Sequence, residues 1–254
     1  MPDAAQLLEE LMAMSRQLGD PAADCAILAE GNTSVRIDEE SFWVKASGAQ
    51  LPAITADGFV RVRFAPVLSL FAAEEASDET IERVLREACV EQTAHRPSIE
   101  ALMHALLLQE KDISFVGHTH PVPVNAIVCS RQAEEAISGR VFPDEVVCCG
   151  AAPAWVPFTD PGVPLARRVG QAVCEYSETY GERPRAIWMQ NHGLIALGST
   201  AQEVVTVTAM AVKVARIILG TYQLGGPNFL TEPQVRRLHT RPDDLYRRGK
   251  LGLG

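Results

Sequence analysis

Apolar residues recur along this chain with two periods, and the alternation between them outlines a mixed α/β protein. From Asp3 to Leu18, apolar positions at Leu7, Leu8, Leu11 and Leu18 predict an amphipathic helix closed by Gly19. Between Cys25 and Val62 the texture changes to short β-like runs: Glu30 to Arg36, then Ser41 to Lys45, then an Ala46-Ser47-Gly48 loop. Ser77 to Glu91 returns to helical spacing, with Ile81, Val84, Leu85, Ala88 and Cys89 on one stripe and Ser77 placed to cap it. A second helix start follows at Arg96 to His104, with Ser98 at or near its cap. Ile113 to Val116 reads as a buried strand, and Pro123 to Val128 as a short helix.

Two apolar runs, Glu145 to Cys149 and Trp155 to Phe158, predict strands. Val163 to Tyr180 carries Leu165, Val169, Val173 and Tyr176 in helical phase and stops at Gly181. Arg185 to Leu197 predicts two strands around an Asn191-His192-Gly193 turn. The pattern Thr200-x-x-Glu203 then predicts a capping box opening a long helix to about Gly220, apolar enough to pack on both sides, against the sheet and against another subunit. Beyond Gly225 the chain is polar and basic, with Arg236, Arg237, Arg241, Arg247 and Arg248, and reads as a lid, an oligomer arm or a frayed end. No repeat, low-complexity tract or linker divides the sequence, so residues 1–254 are expected to form a single domain with a tail from about 225.

The net charge of -9 argues against a general nucleic-acid surface, which needs clustered Lys and Arg. The longest uncharged stretch, Ile113 to Ser130, holds two His, an Asn and two Pro, so no apolar run of the chain is expected to span a membrane. The acidic start of the chain lacks the basic segment of a secretory signal, and the expected location is the cytoplasm. Six cysteines without C-x-x-C spacing are expected to be reduced and mostly buried.

The candidate chemistry gathers at the ends of two apolar runs. His118 and His120 stand two residues apart after a strand, so an extended backbone turns both imidazoles to one face. His192 ends another such run. Three imidazoles with an open fourth position are a common form of catalytic zinc site, whereas each alone also fits a core or turn histidine. Glu100 and His104 are four apart and share a helical face. Gly, Ser and Asn in the loops around Asn32, Ser47 and Gly48, together with Ser98, suit an anion but are equally ordinary turn chemistry.

The order Gly31-Asn32, Ala46-Ser47-Gly48, Ser98-x-Glu100, His118-x-His120 and Asn191-His192-Gly193 resembles the class II aldolase and adducin family, over roughly residues 5 to 220. That family includes fuculose-phosphate and rhamnulose-phosphate aldolases and ribulose-phosphate 4-epimerase, and Gly31 to Ser34 with Trp43 to Lys45 are most similar to the aldolase half of aldolase/dehydrogenase fusions. No G-x-G-x-x-G segment of a dehydrogenase half occurs here.

The resemblance implies a three-layer α/β/α sandwich around a mainly antiparallel central sheet, assembled as a homotetramer. It also implies His118, His120 and His192 as ligands of Zn2+ or another divalent ion. Glu100 is then the proton-transferring carboxylate and a possible fourth ligand; His104, on the same helical face, is a supporting partner behind the three histidines or, alternatively, a ligand itself. Asn32, Ser47, Gly48 and Ser98 would hold the anionic end of a sugar phosphate or sugar acid.

The implied reaction is aldol cleavage of a phosphorylated ketose or related hydroxy-ketone through a metal-stabilised enediolate. Epimerisation, dehydration and decarboxylation are alternatives at the same site, and a non-catalytic adducin-like assembly module is a third reading. Tyr222 and Tyr246 are candidate proton donors to a leaving aldehyde. Two departures from the family pattern stand out. A Gly-Thr-x-Gly-Asn loop has become Leu28-Ala29-Glu30-Gly31-Asn32, and a Ser-Ser-Glu helix start has become Ser98-Ile99-Glu100, so two hydroxyls are gone.

Overall fold

Asp3 starts the first helix by accepting a hydrogen bond from the Gln6 N–H at 2.8 Å, and Gly19 ends it. In the computed structural model, which describes residues 3–72, 76–91 and 95–253, the chain runs α1 (Ala4–Leu18), β1 (Asn32–Arg36), β2 (Ser41–Lys45), β3 (Phe59–Arg63), α2 (Phe64–Ser69), α3 (Asp78–Ala88), α4 (Ala101–Leu107) and β4 (Phe115–Thr119). It continues through α5 (Val122–Val128), α6 (Ala133–Ala136), α7 (Pro143–Cys149), β5 (Ala154–Val156), α8 (Val163–Tyr180), β6 (Ala186–Met189), β7 (Gly193–Gly198), α9 (Ala201–Thr221), α10 (Glu232–Thr240) and α11 (Pro242–Lys250).

The strands form one seven-stranded sheet in the order β3-β2-β1-β4-β7-β6-β5. Every pairing is antiparallel except β5 with β6, so the sheet is mixed. Alternation along β4 separates two cores. Val116 faces the layer that contains α2, α3, α4 and α8, while Phe115 faces α1, α5, α7 and α9. This is the α/β/α sandwich expected. With neighbours on both edges and helices on both faces, β4 is buried throughout.

Glu145 to Cys149, expected as a strand, is helical: it lies in α7, whose first residue is Pro143 and whose end is Gly150 at φ 83. A short apolar run has no period that separates strand from buried helix, and Pro at the first helical position was the signal that decides it. Trp155 to Phe158 is a strand only as far as Val156. The capping box at Thr200 is half formed. Thr200 Oγ1 accepts from Glu203 N at 3.1 Å, but the Glu203 carboxylate takes Ser199 N (2.8 Å) and Arg183 Nη2 (3.0 Å) instead of the Thr200 N–H.

By length and composition, residues Ala201–Leu224 are apolar enough to cross a bilayer, contrary to the expectation drawn from uncharged runs. In this fold that apolarity is spent on packing: Val204, Val207, Ala211, Val214, Ala215 and Ile218 are buried in the second core. Nor does the tail fray. Helices α10 and α11 pack on α7, Arg247 pairs with Asp144 at 2.6 Å, and Asp244, Arg248 and Leu253 are buried. All six cysteines are free thiols, Cys129 and Cys174 exposed and Cys89 half-buried. Burial pushes the Cys149 thiol up to about 12.

Candidate metal centre

Register brings the site together. Asn32 on β1 lies directly opposite His118 on β4, and His118 lies opposite Ile195 on β7. Because side chains alternate, Asn32, Ser34 and His118 share the sheet face that α4 covers, and His120 continues that face past the strand end. His120 is held there by its own N–H, which donates to Cys25 O at 2.8 Å. His192 arrives from the β6–β7 turn, where Asn191 takes a left-handed φ of 53° and Asn125 Nδ2 donates to His192 O at 3.1 Å. The turn must come close: a Cβ on Gly193 would stand 2.6 Å from both His120 Cδ2 and Thr119 O.

The three rings meet. His118 Nδ1 donates to Leu194 O at 3.0 Å and His120 Nδ1 to Glu30 Oε2 at 3.2 Å, which leaves both Nε2 atoms unprotonated. Those two Nε2 atoms are 3.0 Å apart, and one ring nitrogen of each of His118, His120 and His192 lies within 4.8 Å of the others. Two lone pairs aimed at one another at that distance repel unless a proton or a metal ion lies between them. The donor set, neutral imidazoles with a carboxylate beside them, suits a divalent ion such as zinc. Burial drives the His118 pKa down to about 3, so the ring is neutral over the ordinary pH range.

Glu100, the residue before α4, completes the cluster. Its Oε1 lies 3.1 Å from His192 Nε2 and 3.6 Å from His118 Nε2. Burial alone would raise its pKa, but His118, His192 and Asn32 outweigh that and hold the carboxyl well below its usual range. Behind it runs a directional chain of hydrogen bonds. Ser34 Oγ donates to His104 Nδ1 at 2.6 Å, His104 Nε2 donates to Asn32 Oδ1, and Asn32 Nδ2 donates to Glu100 Oε2. His104 is fully buried, and burial lowers its pKa to about 4. It therefore sits behind Asn32 as a neutral relay and is not among the three converging nitrogens.

The expected anion groups divide. Ser47 and Ser98 line one cavity of about 310 Å³ together with Asp78, Glu82, Arg86 and Arg96. Gly48 does not line it, and the Asn32 side chain is committed to Glu100 and His104. Ser98 Oγ also accepts from Glu100 N at 3.3 Å. Tyr222 follows the end of α9, and Tyr246 lies exposed on α11.

Three side chains at the site were not singled out from sequence. Glu30 stands behind His120, Ser34 behind His104, and the buried Lys45 ties two loops by donating to Ala29 O (3.0 Å) and Ala49 O (2.6 Å). Burial lowers the Lys45 pKa, opposed by the Glu100 charge. Ser34 was legible as the same-face neighbour of Asn32, whereas Glu30 and Lys45 needed the loop geometry.

Comparison with known proteins agrees with this architecture. The chain is 29% identical over 213 residues to the uncharacterized oxidoreductase YuxG of Bacillus subtilis (strain 168), a match that takes in 78% of this chain and 28% of that protein. The chain thus spans under a third of that relative's length. Among solved structures, the N-terminal class II aldolase domain of a Thermoplasma acidophilum protein superposes with a TM-score of 0.68 at 23% identity, covering 84% of this chain and 93% of that one. YgbL of Klebsiella pneumoniae, a candidate aldolase/epimerase/decarboxylase, gives 0.69 at 20% identity over 94% and 100%. The L-fuculose 1-phosphate aldolase of Glaciozyma antarctica PI12 gives 0.66 at 16% over 98% and 92%. At these identities the structures speak to fold alone. The family model for the class II aldolase and adducin N-terminal domain matches residues 9–219, and the chain belongs to that family.

Proposed function

We propose that this chain is a metal-dependent lyase that makes and breaks a carbon–carbon bond beside the carbonyl of a phosphorylated ketose or related hydroxy-ketone. The observation that supports it most is the convergence of His118, His120 and His192 on a point beside Glu100. His118, His120 and His192 would hold the ion, zinc in the first instance, with Glu100 Oε1 as fourth ligand or free base. The ion supplies Lewis acidity for the negative charge that develops on the substrate oxygens.

The protein's own groups do the rest. Glu100, ionised and aimed by Asn32, takes and returns the proton at the substrate carbon. The chain from Ser34 through His104 to Asn32 fixes the direction in which that carboxylate points. Ser47 and Ser98, in the arginine-bearing cavity, would receive the anionic end of the substrate. We assign the protein to carbohydrate metabolism in the cytoplasm and expect it to work as a homotetramer. The apolar side chains Ile27, Leu28, Val122 and Phe158 support assembly, since each is more than half exposed on the single chain.

Epimerisation, dehydration or decarboxylation of a sugar phosphate or sugar acid would use the same ion and carboxylate, and product analysis on a substrate panel separates them. A non-catalytic assembly role is disfavoured because all three histidines are present and close together, with Glu100 beside them. The test is elemental analysis with an activity screen. About one divalent ion per chain, activity lost on chelation, and a Glu100→Gln protein that binds substrate without turnover are expected. Full activity in the metal-free protein refutes the proposal.

A further inference from the structure

His120 differs from the other two histidines in what stands behind its ring. His118 Nδ1 is fixed by a neutral backbone oxygen, Leu194 O, whereas His120 Nδ1 meets a carboxylate oxygen, Glu30 Oε2, at 3.2 Å. Glu30 is itself held. Its Oε1 accepts from Ile27 N at 2.7 Å, its own N–H donates to Ile27 O at 3.2 Å, and the neighbouring Ala29 O accepts from the buried Lys45 ammonium at 3.0 Å. On the other side, Gly31 has φ 69°, and a Cβ there would stand 2.8 Å from His118 O. The loop is thus pressed onto β4 at one end and tied to Lys45 in the middle, and Glu30 projects between these points toward His120. Both side chains keep some solvent access, 22% for His120 and 32% for Glu30, so their pairing is a specific orientation and not a product of complete burial.

An ionised carboxylate only accepts, so its partner nitrogen must carry the proton. The opposite nitrogen of His120 then keeps its lone pair, and that atom is the one 3.0 Å from His118 Nε2. A carboxylate behind an imidazole also makes the ring a stronger electron donor than a neutral partner does. We propose that Glu30 is a positioning residue that locks His120 in the Nδ1–H tautomer and raises its donor strength toward a divalent cation. Because it rests on the metal-site reading above, the test separates the two.

The experiment compares wild type, Glu30→Gln and Glu30→Ala in two measurements. Imidazole ¹⁵N shifts of the metal-free protein, recorded where the ring is neutral, report the tautomer of His120. Competition with a chromophoric chelator for Zn2+ or Co2+ reports affinity. Expected are a single Nδ1–H tautomer in wild type, a tautomer mixture in Glu30→Ala, and a dissociation constant raised roughly 10–100-fold in Glu30→Ala and by less in Glu30→Gln.

An Nε2–H tautomer in wild type overturns the proposal. So do variants that keep the wild-type tautomer and bind within twofold, even where melting of the metal-free protein shows a weakened loop. Should Glu30→Ala fail to fold, the isosteric Glu30→Gln carries the comparison. Wild type that binds no divalent ion overturns the metal-site reading and the donor-strength half of the proposal, while the tautomer measurement still decides the positioning half.

Discussion

Asn32 donates from Nδ2 to Glu100 Oε2 while its Oδ1 accepts from His104 Nε2, so one amide spans the carboxylate beside the histidine cluster and a buried imidazole. A hydrogen bond to a charged group contributes about 1.5–3 kcal/mol. Asn32→Ala is therefore expected to lower kcat about 10–150-fold with bound metal unchanged and KM little moved. If Asn32 instead served as a substrate anion donor, KM would rise and kcat would hold, so steady-state kinetics tell the two apart.

His104 gives the metal-free protein an acid sensitivity. Its pKa falls from the usual 6.5 to about 4 on folding because the charged ring loses its hydration. Between those values the unfolded chain binds the proton and the folded chain does not, so stability is complete above pH 6.5 and falls as pH drops toward 4. The slope for one such group is about 1.4 kcal/mol per pH unit. Urea midpoints of wild type and His104→Asn, measured at pH 7 and pH 5, should draw closer at the lower pH. A constant gap between them would contradict this assignment.

The two designated strand ends can approach only because position 193 has no side chain. Gly193→Ala places a methyl against the His120 ring and Thr119 O. Displacement of a ligand is expected to weaken divalent-ion affinity at least about 10-fold, measured by chelator competition, with the far-UV circular dichroism retained. Wild-type affinity in that variant would mean that His120 is not a ligand.

Away from the site, Glu203 is fully buried and accepts from Arg183 (3.0 Å), Arg185 (3.5 Å) and Ser199 N (2.8 Å). Removing one partner of a buried ion pair costs about 3–5 kcal/mol. Glu203→Ala should melt roughly 6–20 °C lower, given about 2–4 °C per kcal/mol for a chain of this size. Calorimetry checks this, and a change under 2 °C would show that the buried charges are already compensated elsewhere.

Much of this was legible in the sequence wherever a local rule decides the outcome. Asp3 caps α1 and Ser77 caps α3 because a helix start needs a partner for its free N–H groups, and Gly181 closes α8 in the left-handed region; Gly19 ends α1 at φ -85, where a Cβ would stand 2.6 Å from Leu51 Cβ. The pairing of His118 with His120 followed from strand alternation. What escaped depended on distant packing. The apolar run at Glu145 to Cys149 had no period to read, and Glu203 left its cap for two arginines from the preceding segment. Glu30 meets His120 across 90 positions, and His104 meets Ser34 across 70, so neither pairing has a local signature. The loss of two hydroxyls from the expected anion loops was plain from sequence, but the cavity that joins Ser47 and Ser98 to Arg86 and Arg96 was not.

Strand β4 is clamped between β1 and β7 in the interior of the sheet, with a helical layer on each side. His118 within it and His120 just past its end thus inherit their geometry from the scaffold, in contrast to small zinc domains whose ligands become ordered only when the ion arrives. If the three histidines hold an ion, as proposed, stripping it should leave the architecture standing, and returning it should add only the stabilisation that mass action allows. A centre built this way would be emptied, refilled and exchanged among different metals at constant fold.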